Sequence, residues 1–256
     1  MLYVLKKYAR RLSGRKPLVP TRMACLGQDI YSAGLSRIGQ LANVQKGRVD
    51  LMADWMQGGR RPDYDAIKGF VRRTDISGLI RQQGVTTWSR EVMDSDWLIM
   101  DSFSELVDNK FSHKDAGWSF CASYADLNHT AEFRDTFSHE GLLPVDEIEA
   151  AYARFFALYF ERKPGCKIIF MHFPDTFESR EKYLERHAEI RRCLESFEQK
   201  YAGRLFNFTV PREEAMRPDL YRGVMEVRNP YHFAEETARA FLSRIDSRLA
   251  DFPEFE

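Results

Sequence analysis

No apolar run in this chain approaches the roughly 18 residues that a membrane-spanning helix needs, so no spanning helix is expected. The first residues carry charge too early for a secretory signal. Cysteine is scarce. Its four copies, Cys25, Cys121, Cys166 and Cys193, are widely spaced with no CxxC pair, which fits reduced thiols in a cytoplasmic protein and not a disulfide scaffold. Net charge is absent too, with 38 Lys+Arg against 38 Asp+Glu, so nothing global points to nucleic acid. The six histidines are scattered and form no helical pair with carboxylates, so no metal site is expected. There is no Walker loop, and Gly14, Gly34 and Gly39 make no Gly-x-Gly-x-x-Gly fingerprint. Internal repeats and low-complexity tracts are missing as well.

What remains is an ordinary globular composition, 44% apolar and 30% charged, over 256 residues. The 13% aromatic content reads mainly as core. Residues 1–21 form a separate basic segment: Leu2, Leu5, Tyr8, Ala9 and Leu12 recur at helical spacing among Lys6, Lys7, Arg10, Arg11, Arg15 and Lys16. Such a helix over residues 1–16 suits an anionic inner-membrane surface, or docks on its own domain or a partner subunit.

Residues 22–256 read as one α/β domain. A strand is expected from Arg22 to Leu26, turning at Gly27 into a helix through residues 30–41. A second strand is placed in Asn43–Asp54, and helices in Asp63–Arg73 and Ile76–Gln83. Arg60, Arg61, Arg72, Arg73 and Arg81 read as a solvated face or as a phosphate-binding cluster. Ser95–Asp101 is a buried strand, and residues 106–143 show no period and read as a lid or binding loop. A helix over Pro144–Arg162, a strand over Cys166–His172, a helix over 178–201, a strand over Leu205–Thr209 and a helix over His232–Leu249 complete the chain. This alternation predicts a three-layer α/β/α fold, flavodoxin-like, with a mostly parallel sheet.

In a parallel sheet the strand ends share one rim. That rim is expected to gather Gly27, Gln28, Asp29, Asp101, Ser102, Ser104 and His172, with Arg228, Asn229 and His232 entering ahead of the last helix. A histidine among carboxylates is the parts list of general acid–base catalysis. Cys25 falls inside the expected strand and reads as buried.

The blocks Gly27-Gln28-Asp29, Asp101-Ser102-Phe103-Ser104, Ile169 to Pro174 and Asn229-Pro230-Tyr231-His232 resemble, in order and spacing, those of the SGNH (GDSL-type) hydrolases, particularly bacterial members found with surface-polysaccharide genes. That family's first block is strand-Gly-Asp-Ser before a helix. Here Asp29 takes the serine position, and Asn229 stands where the acidic partner of the histidine belongs. The resemblance implies O-acyl transfer or ester hydrolysis on a capsule or exopolysaccharide glycan, or its lipid-linked precursor. His232 is then the general base, oriented by Asn229 or Asp29, and acyl-CoA a candidate donor. It also leaves open an inactive glycan-binding protein, or a glycosyl transfer with Asp29 as base.

Overall fold

Strands buried on both faces are continuous apolar runs, and two such runs anchor the sheet. In the computed structural model these are β3 (Trp97–Asp101), buried at all five positions, and β7 (Lys167–Met171), buried at its last four. The structure describes residues 18–35, 38–85, 92, 94–162, 164–218, 220–221, 225–226 and 230–252. The basic segment 1–16, Arg228 and Asn229 lie outside them.

The chain enters at β1 (Leu18–Arg22), inside the stretch that sequence reading gives to the N-terminal segment. It continues through α1 (Cys25–Gly34), β2 (Gly39–Asn43), α2 (Val49–Met56), α3 (Tyr64–Ile67) and α4 (Thr74–Gln82) to β3. A short α5 (Phe103–Val107) leads into three strands, β4 (Asn109–His113), β5 (Ser119–Ala122) and β6 (Phe137–Gly141), with α6 (Ala131–Thr136) between the last two. Then come α7 (Ile148–Arg162), β7, α8 (Glu181–Lys200), β8 (Leu205–Phe208), a small ribbon of β9 (Leu220–Tyr221) and β10 (Met225–Glu226), and α9 (Glu235–Leu249).

The central sheet has the order β2-β1-β3-β7-β8, with every pair parallel. Helices α1 and α9 pack together, as do α2, α7 and α8 in a second group, so the expected three-layer α/β/α fold is present. The strand order is the flavodoxin-like one. Helix α7 shows why the outer layer binds so firmly: Ile148, Tyr152, Phe155, Phe156, Tyr159 and Phe160 recur at helical spacing and are all buried.

Several sequence expectations are corrected. The first strand ends at Arg22, four residues earlier than expected, and Gly27 lies inside α1 and not at a turn. Pro20 sits within β1, an inner strand, where the ladder register shifts between Val19 and Pro20. A bulge is one of the few places a sheet tolerates proline. Residues 49–56, expected as strand, are helix α2, and the second strand precedes them. The aperiodic stretch after β3 is a three-stranded antiparallel sheet, β5-β4-β6, with its own cluster of Phe111, Trp118, Phe120, Phe133 and Phe137 over Ile67 and Ile80. It is tied to the main domain by buried Lys46, whose ammonium lies 2.9 Å from both Asp108 and Asp126.

Candidate active site at the carboxyl rim of the sheet

From β1 the chain runs outward to β2 and then crosses back to β3 on the other side of β1. In open α/β sheets, ligands bind at this reversal, above the strand carboxyl ends. Arg22 closes β1 there and is 1% exposed. Its Nη1 donates to both Glu105 oxygens, at 2.7 and 2.9 Å, and to the Gly47 carbonyl at 3.0 Å; its Nη2 donates to the Asp101 carbonyl. Glu105 also accepts from the Val49 amide at 2.7 Å and the Tyr152 hydroxyl at 2.8 Å. Burial opposes the Arg22 charge, yet Glu105, with Tyr152 and Asp101, more than offsets it and holds the guanidinium above its ordinary pKa. The floor of the rim is therefore a fixed ionic network.

Two residues separate β1 from α1: Met23 and Ala24. The Asn43 side chain, from the end of β2, accepts from the Met23 amide at 2.9 Å and donates to the Met23 carbonyl at 3.0 Å. From the other side, Asp101 at the end of β3 accepts from the Ala24 amide at 2.6 Å and from the Phe103 amide at 3.1 Å. Asp101 is 2% exposed, and burial drives its carboxyl up to about 7 despite Arg22 and the two amide donors. Cys25 is the first residue of α1 and is half-buried. This corrects its reading as an interior strand residue. A helix leaves its first amides without acceptors inside the helix; α1 has no side-chain cap and no acidic residue in its first turn.

Opposite this turn lies the segment entering α9. The Cys25 thiol is 3.7 Å from the carbonyl of Tyr231, the residue before His232. Tyr231 is locked: its hydroxyl donates to Glu178 at 2.9 Å, and its ring packs edge-on against Phe103 and Phe173. Glu178 is in turn held at about 2, where Arg180 and the Tyr231 hydroxyl overcome the effect of burial. His232 is half-buried. A cysteine and a histidine-bearing segment meet at one rim.

The other expected site residues are distributed unevenly. Ser102 is buried and accepts from the Phe173 amide at 3.0 Å, so its hydroxyl joins β3 to β7. Ser104 is buried among Gly47, Gln45 and Asp108. His172 is 4% exposed; burial and nearby Arg191 push it down to about 3, and the Asn207 amide faces its imidazole beneath α8. Asp29 is four residues beyond Cys25 on α1, about 6 Å further from the rim at 1.5 Å per residue. Gln28 lies a turn from Cys25, and its buried Nε2 has no acceptor among the described residues. Gly27 allows close packing, since a Cβ there would lie 2.6 Å from Met23 Cβ. Of the arginine cluster, Arg60 donates to the Ala116 carbonyl, Arg61 stacks 4.4 Å over Trp55, and Arg73 pairs with Asp75. Asn43 and Cys25 are the residues sequence reading missed. Among the described residues no group of His, Cys, Asp and Glu is arranged to hold a metal ion.

No family model and no curated protein matches this sequence. Among solved structures the chain is similar to an acetyl xylan esterase from the rumen bacterium Butyrivibrio proteoclasticus, at 7% identity and a TM-score of 0.43. The match covers 94% of this chain and 64% of that one. The strand order β2-β1-β3-β7-β8 by itself defines the fold. Among the described residues no helix is long and apolar enough to cross a membrane.

Proposed function

We propose that this chain is an enzyme of acyl-group chemistry, cleaving an ester or passing its acyl group to an acceptor hydroxyl, with Cys25 as nucleophile and His232 as base. The observation carrying this reading is the 3.7 Å approach of the Cys25 thiol to the Tyr231 carbonyl, which brings a helix-terminal cysteine to the His232 segment. A thiol at a helix N-terminus has its thiolate stabilised by the helix dipole. The register also supports it. Where the resembling family has strand-Gly-Asp-Ser-helix, this chain has strand-Met23-Ala24-Cys25-helix, which supports reading Cys25 in the role of that serine.

In the proposed reaction His232 takes the thiol proton and the thiolate attacks the acyl carbonyl. The carbonyl oxygen, negative in the tetrahedral intermediate, faces the uncapped amides at the start of α1. The carbon–oxygen bond to the leaving alkoxide breaks, His232 returns the proton to that oxygen, and a thioester remains on Cys25. Water or a second hydroxyl, deprotonated by His232, then displaces the thiolate. Hydrolysis and transfer differ only in that acceptor. The proposed substrate is an acylated sugar; where an acyl-CoA thioester is the donor instead, the bond broken in the first half is carbon–sulfur and His232 returns the proton to the departing CoA thiolate. This substrate class is taken from the family resemblance.

Release of p-nitrophenol from p-nitrophenyl acetate, together with mass-spectrometric mapping of iodoacetamide labelling, tests the reading. Cys25 is expected to alkylate well before Cys121, Cys166 and Cys193, all of which are buried. Burial also pushes the Cys193 thiol up to about 12. Cys25→Ala and His232→Ala are each expected to lower hydrolysis by at least ~100-fold. Full activity in Cys25→Ala would overturn the proposal, and binding of acetylated sugars by an inert wild type would favour a binding protein.

A further inference from the structure

The turn that delivers Cys25 is held by side chains from both neighbouring strands. Beyond Arg22 the backbone of β1 no longer has ladder partners on both sides, yet three consecutive polar groups of the turn are satisfied. Asn43 presents an acceptor to the Met23 amide and a donor to the Met23 carbonyl, as a strand residue would with its own backbone. Its carboxamide is itself oriented, because the Thr21 hydroxyl donates to Asn43 Oδ1 at 2.9 Å and in turn accepts from Gln40 Nε2 at 2.7 Å. Asp101 takes the Ala24 amide on the β3 side. Ala24 carries no capping side chain, so the angle at which α1 starts is set by Asn43 and Asp101 in place of a conventional cap.

We infer that Asn43 and Asp101 form a two-sided clamp that aims the Cys25 thiol and the first amides of α1 at the reacting carbonyl. The inference rests on the acyl-transfer reading above and adds two positioning residues to it. Neither side chain needs to touch the substrate. The effect acts through the Met23–Ala24 peptide, whose displacement would carry Cys25 with it. Misplacing a reacting group by about 1 Å costs on the order of 100-fold in rate.

The clamp is tested by steady-state hydrolysis of p-nitrophenyl acetate in the wild type, Cys25→Ala, Asn43→Ala, Asn43→Asp and Asp101→Asn, with the thermal midpoint of each. Asn43→Ala is expected to lower kcat by ~10- to 100-fold with KM within about twofold. Asn43→Asp, which keeps the acceptor for the Met23 amide and loses the donor to its carbonyl, is expected to fall between it and the wild type. Asp101→Asn is expected to lower kcat likewise and to shift the pH–kcat profile, whereas a purely structural role would leave that profile in place. If hydrolysis depends on Cys25 but kcat is unchanged in folded Asn43→Ala and Asp101→Asn, the clamp is wrong and the nucleophile assignment stands. Equal rates in wild type and Cys25→Ala would remove the nucleophile assignment, and the clamp with it. Should Asn43→Ala fail to fold, the comparison passes to Asn43→Asp, where an unchanged kcat overturns the inference.

Discussion

Gly27 shows how one missing Cβ shapes the rim. The start of α1 lies so close to the end of β1 that a methyl group at residue 27 would meet Met23 Cβ at 2.6 Å. The obstructing atom is bonded to the backbone, so a side-chain rotation cannot clear it. Gly27→Ala is therefore expected to destabilise the protein by about 1–3 kcal/mol through overpacking, despite alanine's better helix propensity. Urea denaturation would check this; a gain in stability would contradict the close packing. In the sequence Gly27 stands out as a turn glycine, and its importance was legible while its reason was not. Cys25 was harder still to place, because Met23-Ala24-Cys25-Leu26 is apolar enough to pass for a strand and Ala24 gives no capping signal for the helix that follows. Asn43 was hidden by the misplacement of the second strand.

At the scale of elements, the strands that declared themselves were those buried on both faces. Trp97–Met100 and Ile168–Met171 are continuous apolar runs bounded by polar residues, and sequence reading found both. Strand β1 was displaced because its true sequence, Leu18-Val19-Pro20-Thr21-Arg22, contains a proline and ends in an arginine. Both are explained only by partners distant in the chain: a bulge against β2, and the Glu105 carboxylate from α5. Arg22 and Glu105 join β1, α5, the start of α2 and, through Tyr152, helix α7. Removing one charge would leave the other buried without compensation. Glu105→Gln is expected to cost about 3–5 kcal/mol. Calorimetry would test this, with a loss below 1 kcal/mol contradicting a fully buried pair. The inserted sheet escaped detection for a different reason: β4 and β6 are only partly buried, which leaves no sustained apolar run or alternation.

For the molecule as a whole, the buried titratable groups set a pH dependence with a definite sign. Burial pushes His172 down to about 3 and His187 down to about 4, so both are neutral in the folded protein above pH 4.5. In the unfolded chain they bind protons below about 6.5. Their contribution to stability is thus present above 6.5 and is lost as pH falls. Asp101 acts oppositely, being protonated when folded up to about 7 and ionised when unfolded above about 4. Its contribution is present below 4 and is lost as pH rises through 7. Between pH 4.5 and 5.5 the unfolded chain holds nearly two imidazole protons against about one carboxyl proton in the folded chain. Stability is therefore expected to rise with pH at about 1.4 kcal/mol per unit from these three groups. Asp101→Asn is expected to double that slope, and an unchanged slope in chemical denaturation across this window would show that Asp101 is ionised in the native state.

The inserted sheet leaves and rejoins the main domain at neighbouring points, since Lys110 in β4 pairs with Gly141 in β6. Topologically everything between them is a decoration on one crossover, and changes in its length do not alter the order β2-β1-β3-β7-β8. The turn at Met23–Ala24 takes its anchors from Asn43 on β2 and Asp101 on β3, outside that decoration.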